Sequence, residues 1–210
     1  FRRVLFRSFP LHGIWPNLVR TTTIPNGGLQ APIVYGGDGS YRDLKGKALD
    51  GRIVILDFNS WNNWLRAASL GARAIVFIEP EQTNRAQADE KFAGVPLDIP
   101  RFWIGRQDGL RLKGLVGDGE ASVHLSGRMD WRQREAWNIW ARFPGADPKL
   151  REETIVVEAY YDGISVVPAL APSAETASSI AALIELARYL RDNPPDRTII
   201  LAAKIGRAHV

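Results

Sequence analysis

Three carboxylates and two phenols stand close together in one part of this chain. Glu158, Tyr160, Tyr161 and Asp162 end an apolar run, and Glu175 follows at the opening of a helical pattern. Carboxylates gathered in this way can ligate a metal ion or act as general bases. The same residues also suit structural roles, with Asp162 capping a turn and Glu175 favouring a helix dipole. No histidine accompanies them, so the spacing alone leaves both readings open.

The elements that must position these groups form one β-α-β unit. Residues 154–160 are a β-branched apolar run of the kind that fills a buried strand. Pro172 and Ser173 open a helix, and Ile180, Leu183, Ile184, Ala187 and Leu190 recur at spacings of three and four, giving one apolar stripe. Asn193-Pro194-Pro195 ends it, because proline lacks an amide hydrogen and disfavours helical geometry before it. Residues 198–203 are a second buried strand, expected to lie parallel to the first. Ligands of open parallel sheets sit beyond the carboxyl ends of the strands, where Tyr160 and Asp162 fall.

The chain has 210 residues, 45% of them hydrophobic and 24% charged, ordinary values for a globular protein of one or two domains. It has no cysteine, which excludes disulfides and thiolate metal sites. No apolar run approaches the roughly 20 residues that cross a bilayer. The net charge of +4 is concentrated at the ends: three arginines lie in residues 1–8, and a lysine and an arginine in 204–210. Both ends resemble translated sequencing adapters, so 1–8 and 204–210 are expected to be non-native tails. Without them the charge is −1, and the basic balance gives no ground for a nucleic-acid partner.

Residues 9–30 show no period and are expected to be an irregular lead-in. A strand at 31–35 is closed by Gly36-Gly37-Asp38-Gly39, which lacks the lysine-serine pair of a phosphate loop. Residues 49–57 form a strand behind an Asp-Gly turn. Ser60 is the expected N-cap of a helix carrying Trp61, Trp64, Leu65 and Ala68, closed by Gly71. A strand at 74–78, a polar loop at 79–94 with one helical turn, strands at 99–104 and 121–125, and a short helix at 108–115 complete a compact module. His124 is expected at a surface or edge. Trp61 and Trp64 suit core packing, or the wall of an aromatic pocket. Residues 136–143 alternate as an edge strand, and Pro144-Gly145-Ala146-Asp147-Pro148 turns the chain back antiparallel.

Taken in order, these pieces resemble a protease-associated (PA) domain at 31–127, followed at 128–203 by the beginning of a zinc exopeptidase domain of the aminopeptidase and glutamate carboxypeptidase superfamily. The first resemblance rests on "LDGRIVILDF", "SLGARAIVFIE", "VPLDIPRFWIG" and "DGLRLKGLV". The second rests on "NIWARFPGADP", "ETIVVEAYYDG" and "PSAETASSIAALIELARYL". The implied fold class is α/β: a PA-type α+β module of short strands, inserted ahead of a partial, mainly parallel mixed sheet with a helix crossover, of the phosphorylase/hydrolase-like exopeptidase kind.

In that superfamily the strand ends Ala-His-Tyr-Asp, whose histidine binds zinc and whose aspartate orients it. This chain reads Ala159-Tyr160-Tyr161-Asp162, so Tyr160 stands at the ligand position and Asp162 at the orienting one. Glu175 stands where the family has an aspartate that bridges two zinc ions. The family's Glu-Glu pair, further carboxylate and late histidine would lie beyond Ala203, so no catalytic residue is assigned here. Imidazole binds zinc as a neutral group, whereas a phenol of pKa about 10 must first lose its proton. The resemblance therefore implies zinc in the active family and none bound here. It further implies a degenerate, extracytoplasmic binding or scaffold module with a peptide or protein partner, membrane association of the full-length protein being left open. The alternative is an active zinc metallopeptidase of aminopeptidase type, completed by residues beyond this chain.

Overall fold

The computed structural model describes residues 7–16, 21–24, 27–92, 97–117, 121–130, 132–171 and 174–206, and leaves out the side chains of Phe92 and Glu175. The chain divides into two compact units. One comprises Phe1–Trp131 with Val166–Ala169, the other Arg132–Ser165 with Leu170–Val210.

The first unit is built on a six-stranded sheet. Its strands are β1 (Leu11–Gly13), β2 (Leu29–Tyr35), β3 (Ile53–Asp57), β4 (Ala74–Ile78), β5 (Arg101–Ile104) and β6 (Ser122–Leu125), in the order β1-β5-β4-β3-β2-β6. The four central strands are parallel and the two outer ones antiparallel, an arrangement that the short-strand pattern did not specify. Alternation along β3 explains the apolar run. Val54 and Leu56 enter one core with Phe58, Trp64, Phe77 and Trp103, while Ile53 and Ile55 enter another with Val76, Phe102, Ile104 and Leu112. A strand buried on both faces has no polar side to show. Each such side chain contributes about 1.5–3 kcal/mol through burial.

Helices α1 (Tyr41–Leu44), α2 (Trp64–Ser69), α3 (Arg85–Phe92) and α4 (Arg106–Val116) lie between the strands in sequence. Three expectations are corrected here. The lead-in is not wholly irregular, since Leu11–Gly13 pairs with β5 and Ile14 is fully buried; three residues are too few to show a period. The second helix begins at Trp64, not after Ser60, because Trp61 takes a left-handed conformation (φ 44°) that interrupts it. The polar loop at 79–94 contains the eight-residue α3, whose inward positions Gln87 and Lys91 are polar and so hid its period. Trp64 is fully buried and Trp61 half exposed, while His124 lies exposed on the edge strand β6, opposite Gln30.

The second unit holds β7 (Ile139–Phe143), β8 (Thr154–Tyr160), α5 (Ala174–Asp192) and β9 (Thr198–Lys204), with strand order β7-β9-β8. β8 and β9 are parallel, from Thr154 opposite Thr198 to Tyr160 opposite Lys204. β7 joins the far side of β9 antiparallel. The buried stripe of α5 runs through Thr176 and Leu190, whereas Ile184, counted with the apolar stripe, is 49% exposed. Pro172 and Ser173, expected to open this helix, lie outside the described residues. Among the described residues, no helix is long and apolar enough to cross a membrane.

Candidate functional site

Strand pairing sets the carboxyl end of β8. Tyr160 stands opposite Lys204, and Glu158, two residues back, shares the face of Tyr160. Lys204 Nζ donates to both carboxylate oxygens of Glu158, at 3.2 and 3.1 Å, and lies 5.5 Å from the centre of the Tyr160 ring. The hydrogen bond to Glu158 is the largest cause holding this ammonium above the usual lysine range. Tyr161 extends the ladder, its N–H donating to the Lys204 carbonyl at 2.9 Å and its hydroxyl to the Trp137 carbonyl at 2.7 Å.

Asp162 turns back toward the end of β9, where its Oδ2 accepts the Gly206 N–H at 2.9 Å. The stretch 204–210, expected to be a foreign tail, thus begins inside a strand. A ladder continues wherever backbone partners are offered, whatever the origin of the residue. Residues 207–210 lie outside the described part. Glu175 is the second residue of α5, but its side chain, and so its distance from Tyr160, also lies outside it.

A protein zinc site needs three or four ligands. Among the described residues, no three histidine, cysteine, aspartate or glutamate side chains come together to hold one. The edge offers a phenol packed against an ammonium and a carboxylate engaged by a backbone amide. Leaving Lys204 aside, a phenol remains a poorer zinc ligand than imidazole. The side chain of Glu175, the other expected ligand, lies outside the described residues.

The first unit holds polar groups that sequence reasoning passed over. At the carboxyl ends of β2 and β3, the Tyr35 hydroxyl donates to Asp57 Oδ2 at 2.8 Å; burial, and then that bond, push the phenol well above its ordinary range. Lys91 and Arg101 are buried in the core. The i, i+4 spacing of Gln87 and Lys91 was the one signal that could have exposed the inward face of α3.

Residues 138–206 match Peptidase family M28. No curated protein matches the chain. Among solved structures, the chain is similar to BSAP, a zinc aminopeptidase from Bacillus subtilis, at 20% identity and a TM-score of 0.59, over 94% of this chain and 45% of that one. It is also similar to a Peptidase M28 precursor from Shewanella amazonensis, at 16% identity and a TM-score of 0.52, over 94% of this chain and 48% of the other. The chain spans about half the length of these structures. Its fold is therefore α/β and similar to that of zinc aminopeptidases, and over residues 138–206 it is similar in sequence to Peptidase family M28.

Proposed function

We propose that the second unit is the opening part of a zinc-exopeptidase-like domain that has lost its metal, and that the first unit is a PA-type domain. In this reading the protein is an extracytoplasmic binding or scaffold module that engages a peptide or protein partner. The observation that carries it is Tyr160, the last residue of β8, standing where the resembled family places a zinc-binding histidine. The match to Peptidase family M28 across β7, α5 and β9 supports the scaffold; the phenol and the amide-engaged Asp162 support the loss of metal.

Calorimetric titration of zinc into the full-length protein, with an aminopeptidase assay on the same sample, tests this. No stoichiometric binding and no hydrolysis are expected. Tight stoichiometric binding with peptide release would overturn the reading and establish an active metallopeptidase, completed by residues outside this chain.

A further inference from the structure

Among the described residues, the core of the first unit contains two buried cations and no buried acid. Lys91 has no exposed surface and Arg101 is 1% exposed, while among the described residues no aspartate or glutamate is buried. Lys91 has acceptors, the Trp61 carbonyl at 2.7 Å and Gln87 Oε1 at 3.3 Å. Arg101 is only partly satisfied. Its Nη2 donates to the Trp15 carbonyl at 3.0 Å, but Nε and Nη1 have no acceptor. Trp103 lies two residues along β5 and so on the same face of the strand. Its buried indole N–H has no acceptor either.

These donors share one aromatic layer. The Trp64 ring centre is 5.5 Å from the Arg101 guanidinium, and the Phe58 ring is 4.9 Å from that of Trp103. Trp64 and Phe58 both meet Phe77 edge-on, at 6.2 and 5.9 Å. Lys91 Nζ adds its charge 5.1 Å from the Phe58 ring.

Leaving a buried donor unpaired is destabilising, and more so when the group is charged. Buried polar groups are nearly always satisfied for this reason. Burial lowers the Arg101 pKa, to about 10, and among the described residues no carboxylate is buried with it. The missing acceptor must therefore be negative, able to take several N–H donors, and small enough for an enclosed core. Water carries no charge and brings two hydrogens of its own. A monatomic anion meets all three demands.

We propose that the Arg101–Trp103 face of β5 binds a small inorganic anion of the halide class, held by guanidinium Nε and Nη1 and the indole Nε1–H. This site completes the core of the first unit and is independent of the zinc question.

The test uses the full chain, purified in sodium gluconate and titrated with chloride at constant ionic strength. Its melting temperature rises with the logarithm of chloride concentration above the dissociation constant, by about 3 °C at a tenfold excess. Chloride-35 NMR on the same protein shows excess line broadening that bromide competes away. Arg101→Met loses both effects. A melting temperature that is equal in chloride and gluconate overturns the proposal. So do the absence of excess broadening and a chloride response retained in Arg101→Met. The NMR arm decides the matter if the variant does not fold.

Discussion

The ammonium of Lys91 donates to the backbone carbonyl of Trp61 at 2.7 Å, joining two residues thirty positions apart. Gln87 holds the other side of the same residue, its Oε1 accepting the Trp61 N–H at 2.9 Å. The polar inward face of α3 therefore clamps the one described non-glycine residue with a left-handed backbone, three residues before the start of α2. A left-handed conformation costs an L-residue about 1–2 kcal/mol, and two hydrogen bonds from one helix face offset it.

That clamp has a pH signature. Burial lowers the Lys91 ammonium from 10.5 to about 8. Below pH 8 the folded and unfolded chains both carry the charge, and the cost of burying it is fully present. Between about 8 and 10.5 the unfolded chain binds more protons, so stability rises with pH. Tyr35 acts in the opposite sense: its raised pKa gives stability that is complete below 10 and lost as pH rises further. Melting temperature should climb from pH 8 to about 10, and the climb should vanish in Lys91→Met.

Helix α4 offers a paired comparison. A Cβ on Gly109 would lie 2.7 Å from Ile78 Cγ2 and 3.1 Å from Ile104 Cγ2, both on the sheet below, whereas one on Gly114 would meet nothing within 4 Å. Gly109→Ala should destabilise by about 1–3 kcal/mol through overpacking. Gly114→Ala should stabilise by about 0.5–1 kcal/mol, because alanine restricts the unfolded chain and favours helix. Urea unfolding of the two variants checks both signs.

These two glycines show what the sequence could disclose. The continuous apolar runs of β3 and β4 announce strands, since burial on both faces leaves no alternation to misread; β8 carries the same kind of run, yet it is not the buried strand expected, since Ile155 and Val156 are exposed. The stripe on α5 is legible because its inward positions are mostly apolar. α3 was not, because Gln87 and Lys91 face inward; nor was β1, whose three residues cannot show a period. At the candidate site, Tyr160 and Asp162 could be placed at the carboxyl end of a strand from pattern alone. The amide that engages Asp162 and the ammonium beside Tyr160 come from a distant strand end, and only the register of β8 on β9 brings them there.

In the second unit, Thr198 does the work of a pin. It is 1% exposed, its Oγ1 donates to the Arg151 carbonyl at 2.7 Å and accepts the Gly145 N–H at 3.1 Å. Thr198→Val keeps the shape and orphans both groups. A loss of about 1–3 kcal/mol is expected, with faster amide exchange at Gly145. Unchanged exchange there would show that the turn is held by other contacts.

Tyr160→His tests the site directly. Imidazole at the end of β8 would stand two residues before Asp162, the spacing of the resembled zinc ligand and its orienting carboxylate. The variant should bind zinc at least tenfold more tightly than the parent chain by calorimetry, with little change in melting temperature, because Tyr160 is only half-buried.

β3 and β4 each have a hydrogen-bonded neighbour on both sides and apolar packing on both faces. Solvent can reach the amides of Ile55 and Val76 only when the whole first unit comes apart, so their deuterium uptake reads its global free energy of unfolding. Amides of β1, three residues long at a sheet margin, should report instead on local fraying, orders of magnitude faster. One exchange experiment would then grade this unit from its rim to its centre.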